Sequence, residues 1–186
     1  MKRLIFTIQM MIHHRSELLK IRNGFFKAEK LLALSSNFFE EHDIRILALD
    51  FDGVMASHGE NIPSNEVLVW LERLIQWFPE ENIYILSNKP TIIRKHFFQK
   101  AFPKINFICD IPKKPYPDGI KLISHHSGSN YKNIALIDDR LLTGCLACII
   151  AGARAVWITK PYVNFKKRPI SELCFFILRL VDKIVV

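Results

Sequence analysis

Two aspartates, Asp50 and Asp52, stand two residues apart at the end of an apolar run and are followed at once by Gly53. On an extended segment alternate side chains share a side, so the two carboxyl groups start out together before the chain turns. Paired like charges repel unless a cation neutralises them. A hard divalent ion such as Mg2+, which takes oxygen ligands and keeps waters that a phosphate can replace, meets that need. A second pair, Asp138 and Asp139, closes another apolar run and can complete the coordination. Four carboxylates alone would repel a phosphate, so the site also needs positive charge and hydrogen-bond donors, which Lys114 and the Ser87 hydroxyl can supply. These are the ingredients of phosphoryl transfer, where positioning and neutralisation of the non-bridging oxygens carry most of the catalysis. Each residue also has a plainer reading. Asp50 and Asp52 can be solvated acids in a turn, Asp138 and Asp139 acids at a helix start, Ser87 and Asn88 a helix cap, and Lys114 a surface lysine.

Such groups act together only if strands deliver them to one edge. From residue 44 onward short β-branched runs alternate with helical stretches: residues 44–51, 83–86, 105–109, 134–137 and 155–158 read as strands, and 65–78, 91–101, 118–126 and 140–151 as helices. The alternation predicts an α/β fold, a doubly wound parallel sheet of about five strands with helices on both faces. Ser64 as an N-cap, Pro90 near a helix start and Gly152 at a helix end agree with it. In these sheets reactive groups gather beyond the C-terminal strand ends, where helix N-termini also point. That rule selects Asp50, Asp52 and Gly53, then Ser87 and Asn88, then Lys113 and Lys114, then Asp138 and Asp139.

Residues 1–43 read as a helical lead, somewhat detached, with Leu18, Leu19, Ile21, Phe25, Phe26, Leu31, Leu32 and Leu34 at roughly helical intervals around Gly24. The expected division is therefore 1–43, a cover or appendage, and 44–186, the catalytic domain. Residues 1–12 superficially resemble a signal peptide, but Gln9 interrupts the apolar run, His13, His14 and Arg15 close it, and no small-residue cleavage site follows. An amphipathic first helix is the better reading. Cys145 and Cys148 form a C-x-x-C without a second pair or a histidine cluster, so all four cysteines read as buried thiols in a reducing compartment. His13, His14, His42, His58 and His96 show no ligand spacing, and His125 and His126 read as a cap at a helix end.

The chain of 186 residues carries 26 Lys and Arg against 18 Asp and Glu, a formal charge of +8, which favours phosphates, acidic lipid surfaces or nucleic acid without choosing among them. Apolar residues make up 49% of it, but no run approaches the roughly 20 residues that span a bilayer. Lys160, Lys166, Lys167 and Arg168 precede the apolar, helical stretch 173–186, which Arg179, Asp182 and Lys183 interrupt. That stretch reads first as core or subunit interface, and second as a segment resting on an anionic bilayer. Lys89, Arg94, Lys95, Lys100 and Lys104 form a second basic face.

Residues 46–161 resemble the haloacid dehalogenase-like hydrolase superfamily, whose four motifs occur in order as Leu47-Ala-Leu-Asp-Phe-Asp-Gly-Val54, Ile85-Leu-Ser-Asn88, Lys113-Lys-Pro-Tyr-Pro117 and Ala135-Leu-Ile-Asp-Asp139. The resemblance implies that Asp50 attacks phosphorus to give an aspartyl-phosphate, and that Asp52 protonates the leaving oxygen and then activates water. It implies Ser87 and Asn88 as phosphate contacts and Lys114, the lysine directly before the proline, as the neutralising cation. Mg2+ would be held by Asp50, the carbonyl of Asp52 and Asp138, with Asp139 supporting the shell. One departure is that Leu142, Thr143 and Gly144 stand where some members carry a further acid.

Only 34 residues separate Asp52 from Ser87 and 26 separate Ser87 from Lys114, too few for the inserted cap that selects small substrates in this superfamily. An open site suits a phosphate on something large. Among capless members the chain most resembles the YqeG-like branch related to phosphatidylglycerophosphate phosphatases, through Ser87-Asn-Lys89, the helical lead and Arg168-Pro-Ile-Ser-Glu172. The expected activity is Mg2+-dependent hydrolysis of a phosphomonoester, with phosphatidylglycerophosphate the favoured substrate. The expected location is cytoplasmic, or peripheral on the inner face of a membrane, with no nucleic-acid partner. Two alternatives stay open: a phosphatase for a soluble phosphosugar or nucleotide with residues 1–43 or a partner as lid, and a non-catalytic module that holds anionic ligands.

Overall fold

The computed structural model describes residues 1–24 and 26–186; Phe25, one of the apolar residues assigned to the helical lead, lies outside them. Six parallel strands form one sheet: β1 (Lys27–Ala28), β2 (Ile46–Leu49), β3 (Ile83–Leu86), β4 (Asn106–Ile108), β5 (Ile134–Asp138) and β6 (Arg154–Ile158), in the order β1-β6-β5-β2-β3-β4. Every residue of β2, β3 and β5 is buried, because helices cover both faces and leave no wet side on which polar residues could alternate.

The pleat then sorts the core into two layers. Leu47, Leu49, Ile83, Ile85 and Ile137 face one cluster, completed by α4 (Asn65–Leu74) and by Phe98 of α5 (Ile92–Ala101). Ile46, Ala48, Tyr84, Leu86 and Leu136 face the other, completed by α6 (Asp118–Ser127) and α7 (Leu146–Ala151). This is the doubly wound α/β architecture that the alternating pattern predicts. β2 lies between β3 and β5, so the winding reverses at its end, the place where such sheets open a crevice.

Two features add to the sequence reading. About five strands are expected, and among the described residues a short sixth joins them, because Lys27–Ala28 of the lead pairs with Trp157 and Ile158 at the sheet edge. A two-residue strand has too little pattern to be read from sequence, and the edge left by β6 supplies its hydrogen bonds. The lead is also not detached. Leu18 is buried in one core layer, and Leu31, Leu34 and Phe39 in the other. The break in pattern at residue 43 is thus not a break in packing. The lead folds as α1 (Lys2–His13), α2 (Arg15–Asn23), a short turn and α3 (Ser36–Glu41).

Smaller differences concern boundaries. α4 stops at Leu74, before residue 78, and the segment 140–151 begins as a wide helical turn, Leu141–Cys145, before α7. A final helix, α8, runs Pro169–Val185. Thr91 caps α5 with its hydroxyl accepting from the Arg94 amide, whereas the Ser64 hydroxyl at the start of α4 makes no such bond. Cys145 and Cys148 are buried as expected, but Cys109 is half-buried and Cys174 is exposed.

Candidate active site

Strand register creates the first contact. Leu49 of β2 pairs with Ile137 of β5, so the next residues along two parallel strands, Asp50 and Asp138, end side by side, and the Asp50 amide donates to the Ile137 carbonyl at 3.0 Å. Lys114 comes in from the loop after β4. Its Nζ donates to Asp50 Oδ1 at 2.7 Å, to Asp138 Oδ2 at 2.5 Å and to the Leu86 carbonyl at 3.2 Å. The Asn88 side-chain oxygen braces that loop by accepting from the Lys114 amide at 2.8 Å.

Asp139 turns toward the same point, and one oxygen from each of Asp50, Asp138 and Asp139 lies within 4.8 Å of the others. Arg179 of α8 donates from Nε to Asp139 Oδ2 at 2.6 Å. When all three are ionised, these carboxylates outnumber the two cations facing them, Lys114 and Arg179. An all-oxygen, buried, anionic donor set of this kind fits a hard divalent cation such as Mg2+. Burial pushes the Asp50 carboxyl up to about 8, with Lys114 opposing and Asp138 and Asp139 adding to the rise. Burial likewise raises Asp139 to about 6 against the pull of Arg179. Lys114 is held above the ordinary lysine value: burial works against its charge, but the carboxylates of Asp138 and Asp50 outweigh it.

Two glycines permit this crowding. Gly53 turns the chain out of β2 with φ of 88°, a left-handed conformation that costs other residues dearly. At Gly144 a Cβ would fall on the Asp138 carboxylate, so no side chain fits at that position.

Asp52 stands outside the three-carboxylate cluster. Its carboxylate accepts from Arg94 Nη2 at 2.7 Å, Arg94 Nη1 at 3.0 Å and the Gly59 amide at 3.1 Å. Burial works to raise this carboxyl, but the bonds and charge of Arg94 prevail and hold it below its ordinary value. Arg94 does not lie on the basic surface face on which the lysine-rich pattern put it. It is 1% exposed and stacks over the Phe51 ring at 3.9 Å. Asp50, Asp52, Asn88, Lys114, Asp138 and Asp139 all line one cavity of about 490 Å3. Ser87 opens instead on a smaller adjoining cavity of about 210 Å3, which shares Asn88 and Lys114. Its hydroxyl accepts from the Lys89 amide at 3.2 Å.

Several residues of this site were not singled out by sequence. α8 delivers Glu172, Arg179 and Asp182, all buried. Asp182 accepts from Arg140 at 2.7 and 3.0 Å, and Glu172 lies 3.3 Å from Nδ1 of His58, which lines the cavity and stacks on Phe175. The available signal was spacing. Positions 172, 179 and 182 are seven and three apart and so share one face of a mostly apolar helix.

The sequence model of the mitochondrial PGP phosphatase family matches residues 8–163. The chain belongs to that family. It is a phosphatase of the haloacid dehalogenase-like superfamily, and among the described residues no folded cap interrupts the sheet. No curated protein sequence matches it. Among solved structures, an uncharacterized protein from Listeria monocytogenes serotype 4b has a TM-score of 0.53 at 13% identity, covering 68% of this chain and 85% of that one. A hypothetical protein from Xanthomonas campestris has a TM-score of 0.50 at 14% identity, covering 74% and 77%. A HAD family enzyme from Bacteroides thetaiotaomicron, crystallised with magnesium and inorganic phosphate, has a TM-score of 0.48 at 13% identity, covering 67% and 98%. At these identities the first two likenesses show the fold alone. No described helix is long and apolar enough to cross a membrane.

Proposed function

We propose that the chain hydrolyses the phosphomonoester of phosphatidylglycerophosphate, giving phosphatidylglycerol and phosphate through an aspartyl-phosphate on Asp50. The observation that carries the chemistry is the convergence of Asp50, Asp138 and Lys114 within 2.7 Å contacts at two adjoining strand ends. The substrate reading draws on the family match and on a cavity over which no described residues form a folded cap, with its acids on the floor and the exposed Arg3, Lys89, Lys113 and Arg168 at its mouth.

In the first step Asp50 forms a bond to phosphorus while the bond to the glycerol oxygen breaks and Asp52 gives that oxygen a proton. In the second, water attacks the phosphorus, Asp52 takes its proton, and phosphate leaves with Asp50 restored. The Arg94 pair suits the second half, since it keeps Asp52 ionised; in the first half the approaching phosphate dianion pushes the carboxyl back up. Lys114 neutralises Asp50 and the transferred group, Asn88 from the same cavity would steady it, and Ser87 would do so from the adjoining cavity. Asp50, the Asp52 carbonyl and Asp138, with support from Asp139, would hold Mg2+, which would supply the remaining neutralisation of the phosphate oxygens. The location that goes with this reaction is the cytoplasmic side, peripheral on a membrane's inner face.

The test is phosphate release from phosphatidylglycerophosphate by purified protein with Mg2+. Release is expected, and Asp50→Asn should lower it by at least about 1000-fold while leaving the fold intact. Turnover of a soluble phosphosugar or nucleotide in preference to the lipid would reassign the substrate. Anionic-ligand binding unchanged in Asp50→Asn, with no ester turned over, would leave a binding module.

A further inference from the structure

Helices on a globular protein normally turn their apolar side inward, because burying it holds them in place. α8 does the reverse. Its buried residues are Glu172, Arg179 and Asp182, while Ile170, Leu173, Phe176, Ile177, Leu180 and Ile184 face outward, Ile170 at 78% and Ile184 at 70% exposure. The inward side is explained by its partners Asp139, Arg140 and His58. The outward side has none among the described residues. α1 adds to it: the helix has no buried residue, and Leu4, Ile5, Ile8 and Ile12 form one exposed stripe, Leu4 at 65% and Ile12 at 67%.

The two helices belong to one region of the surface. Arg3 of α1 and Phe175 and Leu178 of α8 line the same cavity, both helices pack on the turn Leu141–Cys145, and Met10, Met11 and Val186 share one cluster. α1 contains no acidic residue, and both acids of α8 are buried, so neither outward face carries negative charge. Exposed Arg3, Lys89, Lys113 and Arg168 form a cationic collar at the mouth between them.

A contiguous apolar surface beside a functional opening marks an interaction site. Charge then selects the partner. A second copy of the chain would bring its own collar against this one, whereas an acidic lipid surface attracts it. We propose that α1 and α8 form one docking face for an anionic bilayer, their apolar side chains entering the head-group boundary while the collar meets the acidic head groups. The mouth of the cavity then opens onto the surface that holds the substrate. The purpose of this docking rests on the lipid-phosphate reading, but its measurement does not. α8 lies beyond the residues matched by the family, so the face depends on a helix outside that match.

Full-length protein is sedimented with phosphatidylcholine vesicles that contain or lack phosphatidylglycerol, beside a variant carrying Leu173→Ser, Phe176→Ser and Leu180→Ser, none of which lines the cavity. The wild type should pellet with the anionic vesicles and lose binding as salt rises, and the variant should bind at least about tenfold more weakly. Hydrolysis of p-nitrophenyl phosphate by the variant should be unchanged. A second variant, Ile8→Ser with Ile12→Ser, probes the face from α1 in case the first fails to fold. Equal binding by the variants, or no binding by the wild type, overturns the docking face, as does a wild-type dimer that the variants convert to monomer without any vesicle binding. Binding that depends on these residues, with no phosphate released from phosphatidylglycerophosphate, overturns the substrate reading and keeps the face. Release from detergent-dispersed lipid without vesicle binding does the opposite.

Discussion

α4 and α8 are both amphipathic helices, yet they hide opposite sides. α4 buries Val67, Trp70, Leu71 and Leu74, and α8 buries Glu172, Arg179 and Asp182. The difference lies in what each finds beneath it. α4 covers the apolar layer formed by Leu47, Leu49 and Ile83, where burying hydrocarbon is the available gain. α8 packs at the strand ends, where Asp139 is a buried charge and Arg140 a half-buried one, and isolating them would cost far more than an exposed leucine does. A two-faced helix is therefore oriented by its docking surface, not by its own composition.

Replacing Arg179 by Met tests this most severely, since it leaves Asp139 buried without its guanidinium partner. The metal-free protein should lose about 3–5 kcal/mol in urea unfolding, and saturating Mg2+ should recover much of it because the cation meets the same carboxylate. If Mg2+ recovered none of the loss, Asp139 would not be part of the ion's surroundings.

Leu71→Ala is the counterpart on α4. It empties part of an apolar layer and should cost about 2–5 kcal/mol. Mg2+ should not restore this loss, and the folded fraction should turn over substrate at the wild-type rate. A selective fall in kcat would mean that α4 serves the site and not only the core.

pH separates the two regions again. A carboxyl whose folded-state pKa lies above its unfolded one holds its proton more tightly in the folded chain, so stability falls as pH rises between the two values. For Asp50 that window runs from its ordinary 3.8 to about 8, and for Asp139 from 3.8 to about 6. Metal-free protein should therefore lose stability as pH rises through this range, and Mg2+, which competes with those protons, should stabilise it more at the upper end. The apolar layer under α4 titrates nothing, so Leu71→Ala should displace the curve without changing its slope. A metal-free curve that rises from pH 4 to 8 contradicts the raised carboxyls.

The smallest expected effect is at α5, which combines both behaviours by burying Phe98 toward the core and Arg94 toward Asp52. Thr91→Ala removes the cap on the Arg94 amide and should cost about 1 kcal/mol in thermal unfolding. Asp52 should keep its pairing with Arg94, so kcat should change little.

The motif residues were legible because their signals are local. An apolar run ending in Asp50-Phe-Asp52-Gly53, with matching runs ending at Ser87 and Asp138, states where strands stop, and the rule for doubly wound sheets then brings those ends together. The same locality explains what was missed. Arg94 looks like any cation on a lysine-rich helix, and nothing near it in the chain announces that Asp52, 42 residues away, will take its guanidinium.

By itself the sequence determined the alternation of strand and helix, the order of the strand-end acids and the lack of room for a cap, since periodicity and spacing are properties of neighbouring residues. Only the tertiary structure decided that Lys27–Ala28 closes the sheet edge, that Gly144 must be bare beside Asp138, and that α8 turns its charges inward and its hydrocarbon out. Those outcomes depend on which surfaces meet across long stretches of chain, and a buried charge acquires its meaning only from the group placed opposite it.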